Sequence, residues 1–423
     1  MSITRKEVVV IGAGQAGIAT SEHLAAKGLD HVVLERDQIA SRWRKERWDS
    51  LVANGPAWHD RFPNMRFTGD QERFAKKEEV ADYFVNYVEK FDLPVREGVE
   101  VKRVTRRTSD HGFTVETSDG DYETEFIVAA TGAFQVPVIP AVVPEEDGIF
   151  QMHSSSYHRP SEVPDGGVLV VGAGSSGVQI ADELNDAGRT VYLAVGPHDR
   201  PPRSYRGRDY CWWLGVLDKW DMATPGSGAE HVTITVSGAK GGHTVDFRDL
   251  ADRGITLAGR AGPYAHGVMK FADDVAINIH NGDENYLSLL READLYVERN
   301  GLDLPEEPEA YELRDDPECV KSPIRSLDLK ANGINSIVWA TGFGRDYQWL
   351  DVAEATNHLG VPQHVRGVSA AHGVYFVGLP WQSRRGSSFI WGSWHDAKYV
   401  ADQIGIQHMY MEYPSRDDQT IFS

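Results

Sequence analysis

The sequence predicts an α/β protein made of two dinucleotide-binding units, the second inserted into the first. Three observations predict it. The segment Val8–Arg36 reads VVVIGAGQAGIATSEHLAAKGLDHVVLER: an apolar run, a glycine-rich turn, an amphipathic stretch and a second apolar run. Residues 166–195, GGVLVVGAGSSGVQIADELNDAGRTVYLAV, repeat the pattern at an offset of 160 residues and align without a gap from Gly12 to Glu35. Two further apolar runs, FIVAATG and SIVWATG, end in matching triplets, Ala130-Thr131-Gly132 and Ala340-Thr341-Gly342.

In the first unit Val8 to Ile11 is of strand type and runs into Gly12-x-Gly14-x-x-Gly17. Gly12 allows a tight turn, Gly14 lets the backbone approach a pyrophosphate, and Gly17 allows close helix–strand packing. Gln15 opens a helix running to about Lys27, whose N-terminal N–H groups and dipole favour a diphosphate. His31 to Leu34 is the next strand, ending at Glu35, 18 residues beyond Gly17. A carboxylate there can accept hydrogen bonds from ribose hydroxyls, so this Rossmann-like unit would take FAD or NAD. A structural glycine turn would explain one such motif, but not two in register.

Ser41–Trp58 is aromatic and loop-rich, with Trp43 placed to meet a cofactor. Lys77–Phe91 is an amphipathic helix, and Val99–Ala130 alternates like a small meander returning to the parent sheet. The second unit carries Gly172-x-Gly174-Ser175-Ser176-Gly177, but Val195 stands where the first has Glu35. The following loop holds Arg200, Arg203, Arg206 and Arg208. Losing the acid and gaining arginine is the pattern for a ribose 2′-phosphate, hence NADP, with Arg203 and Arg208 as candidate ligands. Thr131, Gly132, Thr341 and Gly342 mark where the backbone would pass each nucleotide. Thr233–Asp246 alternates like a hairpin, and Pro305–Pro317 reads as an acidic surface loop. Gly373–Gly378 is a last buried strand, followed by a helix over about Ser388–Ile404 capped by serine; the last dozen residues read as loosely held. The expected division is 1–160 and 336–423 for the first domain, taking FAD or NAD, with 161–335 inserted as the NADP domain.

Composition limits the function. A formal net charge of −20 argues against nucleic acid or an anionic membrane as the main partner. Cys211 and Cys319 are the only cysteines and form no CxxC, so a disulfide framework, a zinc site and a thioredoxin-type redox pair are not expected. The first strand follows the N-terminus too closely for a signal peptide, and no apolar run approaches membrane length. A cytoplasmic protein is the expectation, with no metal, a small-molecule substrate, and a homodimer left open.

These residues resemble the class B flavin-dependent monooxygenases, the group of flavin-containing monooxygenases, N-hydroxylases and Baeyer–Villiger enzymes. The likeness covers nearly the whole chain: GAGQAG, GAGSSG, and the two ATG triplets. The family's F-x-G-x-x-x-H-x-x-x-Y/F/W motif is half present, as His153-Ser-Ser-Ser-Tyr157, while Asp147 and Ile149 replace its Phe and Gly. The resemblance implies FAD on the first unit and NADPH on the second. Reduced flavin would meet O2, form a C4a-hydroperoxide and oxygenate a nucleophilic N or S, the branch to which Tyr157 points. Leu51–Pro63 is similar to the family stretch whose Asn lies beside the reactive flavin edge, which implies a catalytic role for Asn54. As a residue of Asn-Gly-Pro, Asn54 is also explained as a turn former. Trp58, Trp381, Trp391 and Trp394, with Arg384 and Arg385, would either shape a substrate site or pack the FAD domain. Two other readings stand: an NAD(P)H-dependent flavoprotein reductase lacking a redox disulfide, and a non-enzymatic redox-sensing flavoprotein.

Overall fold

The computed structural model describes residues 3–108, 111–223 and 234–413. β1 (Ile3–Ile11), α1 (Gln15–Ala25) and β2 (His31–Leu34) form the opening unit. Val8, Val9 and Val10 are fully buried, as expected of a parallel strand covered on both faces. α2 (Ser41–Lys45) is a single turn in the aromatic segment, and α3 (Lys77–Lys90) buries Val80, Tyr83, Phe84 and Tyr87 along one side. β3 (Val95–Arg96) pairs with β2. β4 (Val101–Arg106), β5 (Phe113–Thr117) and β6 (Asp121–Ala129) make the antiparallel meander, and β6 returns parallel to β1. The central path of the sheet is therefore β4-β5-β6-β1-β2-β3.

The second sheet is wholly parallel. It contains β7 (Phe150–His153), β8 (Gly167–Val171), β9 (Val191–Ala194), β10 (Thr256–Ala258) and β11 (Ile334–Trp339), in the order β10-β9-β8-β11-β7. This corrects the expected boundaries at 160 and 335. The sheet takes in β7, which the sequence reading left with the first unit, and all of β11, which that reading divided. α4 (Ser175–Asp186) crosses from β8 to β9, so the repeat is complete in structure as well as in letters.

The chain between the units' strands differs more from expectation. Ser237 and His243 form one antiparallel bridge rather than a hairpin, and Thr233 lies outside the described residues. α5 (Tyr210–Val216) is capped by the Asp209 carboxylate, which accepts from Cys211 N. α6 (Val275–Asn300) is a 26-residue helix ending at Gly301, φ +59°, the left-handed conformation that stops a helix. Pro305–Pro317 is surface chain with one short 3₁₀ turn. β12 (Val374–Phe376) then rejoins the first sheet alongside β6. α7 (Ile390–Glu412) closes the chain. Its N-cap is Phe389, with no side-chain cap, so the expected serine cap is corrected: Ser388 belongs to a preceding 3₁₀ turn. The expected loose tail lies, beyond Tyr413, outside the described residues.

Candidate active site

Both glycine turns open onto one cavity of ≈ 2140 Å³. Drug-sized ligands fill roughly 300–1,000 Å³, so this space accommodates more than one large ligand. In the first unit Gly12 has φ +104°, and a Cβ there would sit 2.8 Å from Ala130 O. A Cβ on Gly17 would run into Gly12 O, whereas one on Gly14 meets no atom within 4 Å. Gly17 thus packs helix on turn, and Gly14 is the open side at which a diphosphate has room. Gly14 is also the N-cap of α1 and offers no side-chain acceptor, which leaves first-turn N–H groups for a ligand.

Glu35 accepts from Ala13 N at 2.8 Å and Asp37 N at 3.0 Å while lining the cavity. Its carboxylate fixes the glycine turn and keeps lone pairs for ribose hydroxyls. Arg42 lines the cavity with a buried Nη1 that has no hydrogen-bond partner. A buried guanidinium nitrogen left unpaired at a cavity wall suits an anion such as the FAD diphosphate. Trp43 lines the cavity and packs on the cores of both units. Gln15 Nε2 donates to Ser388 O at 2.7 Å, holding the start of α1 against the chain leading into α7. Thr131 and Gly132, φ +76°, line the cavity too, and both accept from Gln135 Nε2 at 2.9 Å. This donor set fits FAD.

In the second unit Gly172, Gly174, Ser175, Ser176 and Gly177 line the same cavity, as do Thr341 and Gly342. Gly172 has φ +124°, and a Cβ on it or on Gly177 would strike backbone. Ser175 N and Oγ both donate to Ile234 O, at 3.3 and 3.0 Å, so a carbonyl already sits at this helix end. Gly342 O accepts from His153 Nε2 at 2.9 Å, while Ser155 N donates to His153 Nδ1 at 3.1 Å. Burial holds the His153 pKa below its ordinary value, so the ring is a neutral strut. Tyr157 donates to Glu183 of α4 at 2.7 Å. The half-motif therefore ties β7 to the ATG end of β11 and to α4.

The two arginines assigned to the 2′-phosphate are not at the cavity. Arg203 is buried, paired with Asp209 and stacked on Phe74 and Tyr210, 4.8 and 4.4 Å from the ring centroids. Arg208 lies over Trp212 at 5.3 Å. The cavity instead reaches Arg260, just beyond β10 and against Gly196, where a Cβ would lie 3.4 Å from Arg260 Cγ. Arg260 N and Nε bond Asp274 at 2.9 and 2.6 Å, and its Nη atoms carry no hydrogen bond to the other described residues. Sequence reasoning missed Arg260 because it follows a strand separate from the glycine motif; only the adjacency of β9 and β10 brings it there.

Asn54 lines the cavity. Its Oδ1 accepts from Gln179 Nε2 at 3.0 Å and its backbone O from Arg203 Nη1 at 2.6 Å. Nδ2 has no hydrogen-bond partner among the described residues. Gly55 N donates to Asp60 at 2.9 Å, and Asp60 is bonded to His59 at 2.8 Å. Tyr210, Met222, Ile234, Val236 and Phe389 also line the cavity, with an Asp199–Arg385 ion pair at 3.3 Å. Burial pushes the Asp199 carboxyl up against the pull of Arg385. Of the tryptophans named above, Trp381 lines the cavity, whereas Trp58 and Trp391 pack around His59 and Trp220. Trp394 is turned to His23 and Glu22. Arg384 pairs with Asp221.

Residues 9–210 match a family model described as pyridine nucleotide-disulphide oxidoreductase. An uncharacterized CzcO-like oxidoreductase of Geobacillus kaustophilus is 33% identical over 405 residues, 94% of this chain and 98% of the relative. The probable indole-3-pyruvate monooxygenase YUCCA4 of Arabidopsis thaliana is 30% identical over 416 residues, 96% of this chain and 91% of the relative. The chain belongs to the class B flavin-dependent monooxygenase family. Among solved structures the flavin-containing monooxygenase of Stenotrophomonas maltophilia has the same fold: TM-score 0.66, 19% identity, 96% of this chain and 100% of that one. The bacillithiol disulfide reductase of Bacillus cereus shares it at TM-score 0.59 and 16% identity, over 96% of this chain and 100% of that one. As a member of this family the protein is an oxidoreductase that uses FAD and NADPH. No helix among the described residues is long and apolar enough to cross a membrane.

Proposed function

We propose that the protein inserts one oxygen atom from O2 into a small nucleophilic substrate at nitrogen or sulfur. Bound FAD would supply the redox chemistry, taking hydride from NADPH and activating O2 at its C4a edge. Gly12, Gly14, Glu35 and Arg42 would hold FAD; Gly172, Gly174 and Ser176 would meet the NADP diphosphate, and Arg260 the 2′-phosphate. The observation that carries the reading is Asn54: its amide oxygen is engaged, and its amide nitrogen has no partner among the described residues at the cavity wall. An N–H so fixed can donate to developing negative charge on oxygen without reorganising. The rings of Tyr210 and Phe389 and the apolar Met222, Ile234 and Val236 would exclude water around it. A reductase needs no such donor, and the fold shared with a bacillithiol disulfide reductase keeps that alternative in view.

The test is the Asn54→Ala holoenzyme. Its NADPH consumption should uncouple, with hydrogen peroxide replacing oxygenated product, while flavin reduction by NADPH is far less affected. One preorganised donor is worth up to about 3–4 kcal/mol. A wild type that only releases peroxide, unchanged by Asn54→Ala, would move the protein to the reductase reading.

A further inference from the structure

Asn54 does not choose its own orientation. Its side chain is short, it stands in a turn, and turning the amide over exchanges an acceptor for a donor at almost unchanged shape. The choice comes from Gln179, on the second turn of α4 and only 7% exposed. Gln179 Nε2 donates to Val236 O at 2.9 Å and to Asn54 Oδ1 at 3.0 Å, while Gln179 Oε1 is buried without a partner. A backbone carbonyl can only accept. Val236 O therefore fixes the Gln179 amide nitrogen on that side, and Asn54 must answer with its oxygen.

The same assembly continues to the glycine turn. Val236 N donates to Ser175 Oγ at 3.2 Å, and Ser175 is the first residue of α4. Arg203, also from the second unit, holds the Asn54 carbonyl at 2.6 Å. Backbone position and amide orientation of Asn54 are thus both set by the second unit, although Asn54 belongs to the first.

We infer that Gln179 is a positioning residue that aims the Asn54 amide N–H at the flavin, linking the pyridine-nucleotide helix to the donor at the oxygen-reacting edge. The inference rests on the role proposed for Asn54. It has a sharp consequence in Gln179→Glu. A carboxyl buried there is held neutral and has one O–H. With that O–H given to Val236 O, only an acceptor faces Asn54, whose amide turns over and presents Oδ1 to the cavity. Gln179→Met removes the constraint without reversing it.

Three holoenzymes, Gln179→Glu, Gln179→Met and Asn54→Ala, and the Asn54→Ala/Gln179→Glu and Asn54→Ala/Gln179→Met double variants are compared for hydrogen peroxide formed per NADPH. Gln179→Glu should raise the ratio at least about fivefold, the worth of one net hydrogen bond, and more than Gln179→Met does. In the Asn54→Ala background it should add nothing, because the group it acts through is gone. Thermal unfolding of the apoproteins gives a readout independent of turnover: the losses in Tm from Asn54→Ala and Gln179→Met should be less than additive. Additive effects in both measurements, or an unchanged ratio in Gln179→Glu and Gln179→Met where Asn54→Ala raises it, overturn the role of Gln179. An unchanged ratio in Asn54→Ala itself overturns the Asn54 reading beneath it.

Discussion

The two glycine units share a strand, a turn and a helix in register, and differ at two points that decide what each can hold. In the first, Glu35 closes the turn from below and the N-cap of α1 has no side-chain acceptor. In the second, Val195 is buried and silent, and the Ile234 carbonyl already receives N–H and O–H from Ser175 at the start of α4. Both helix starts lack a side-chain cap, and in the second a ligand shares the helix start with the Ile234 carbonyl.

The largest effect should come from breaking what the units have in common. Gly17→Ala puts a methyl group into the backbone oxygen of Gly12, where no flexible side chain can give way, which costs several kcal/mol. Thermal melts and soluble yield should show the loss, and Gly177→Ala should do the same through Gly172 O. Gly14→Val separates fold from ligand: its Cβ meets nothing in the protein, so the chain should fold yet retain no stoichiometric FAD after gel filtration. Folded, yellow Gly14→Val protein would refute the assignment of the first unit.

Next in size is the preference between nicotinamide cofactors. Arg260→Ala should lower kcat/KM for NADPH roughly ten- to a hundredfold and leave NADH nearly unchanged, as expected for one charge-assisted contact of about 1.5–3 kcal/mol. Arg208→Ala should not alter the ratio. Arg203→Ala should lower Tm, since it leaves Asp209 part-buried without its cation. A preference that follows Arg208 and ignores Arg260 would restore the loop to the phosphate.

The smallest effect is one of acidity, and both units share it. His23 and His31 in the first unit, and His153 and His198 in the second sheet or its loops, are buried, and burial lowers each pKa from 6.5. Each ring is harder to protonate folded than unfolded, so as pH falls below 6.5 the unfolded chain binds protons first and stability declines. Above 6.5 both states are neutral and this contribution is constant. Melts from pH 7.5 down to 5.5 should show Tm flat and then falling, and His153→Asn should flatten part of the decline.

Much of the frame was legible in the letters because it depends on local rules. The glycine spacings, the apolar parallel strands and the alternating meander each declare themselves within about thirty residues. What stayed hidden depends on partners far along the chain. Arg203 reads as a 2′-phosphate ligand in a basic loop, and only Asp209, Phe74 and Tyr210 closing around it make it buried. The strand Phe150–His153 reads as linker because its pairing partner, Ile334–Trp339, lies nearly two hundred residues away. α6 was missed because its sequence is rich in Asn, Asp and Glu, and its buried positions Asn278, Gly282 and Asp283 break the apolar stripe. Asp283 is there to meet Arg200 and Arg248, which hold it at 2.7 Å each.

The bond from Gln15 to Ser388 spans 373 residues, and others accompany it: Trp394 to Glu22 and Lys27 to Asp402. The strand that completes the first sheet beside β6 is Val374–Phe376. The first sheet therefore draws on strands that flank the second sheet's segment along the chain, whereas the second sheet is complete once Trp339 has emerged. Loop closure over such a span is slow, and a nascent chain leaves the ribosome N-terminus first. Until Val374–Phe376 has emerged, the polypeptide carries an unfinished first sheet with an exposed apolar edge beside β6, and the second sheet is the one able to form first. If the first unit holds FAD as proposed, retention of FAD reports that α7 has docked, and a stop codon ahead of α7 should cost the cofactor before it costs the second sheet.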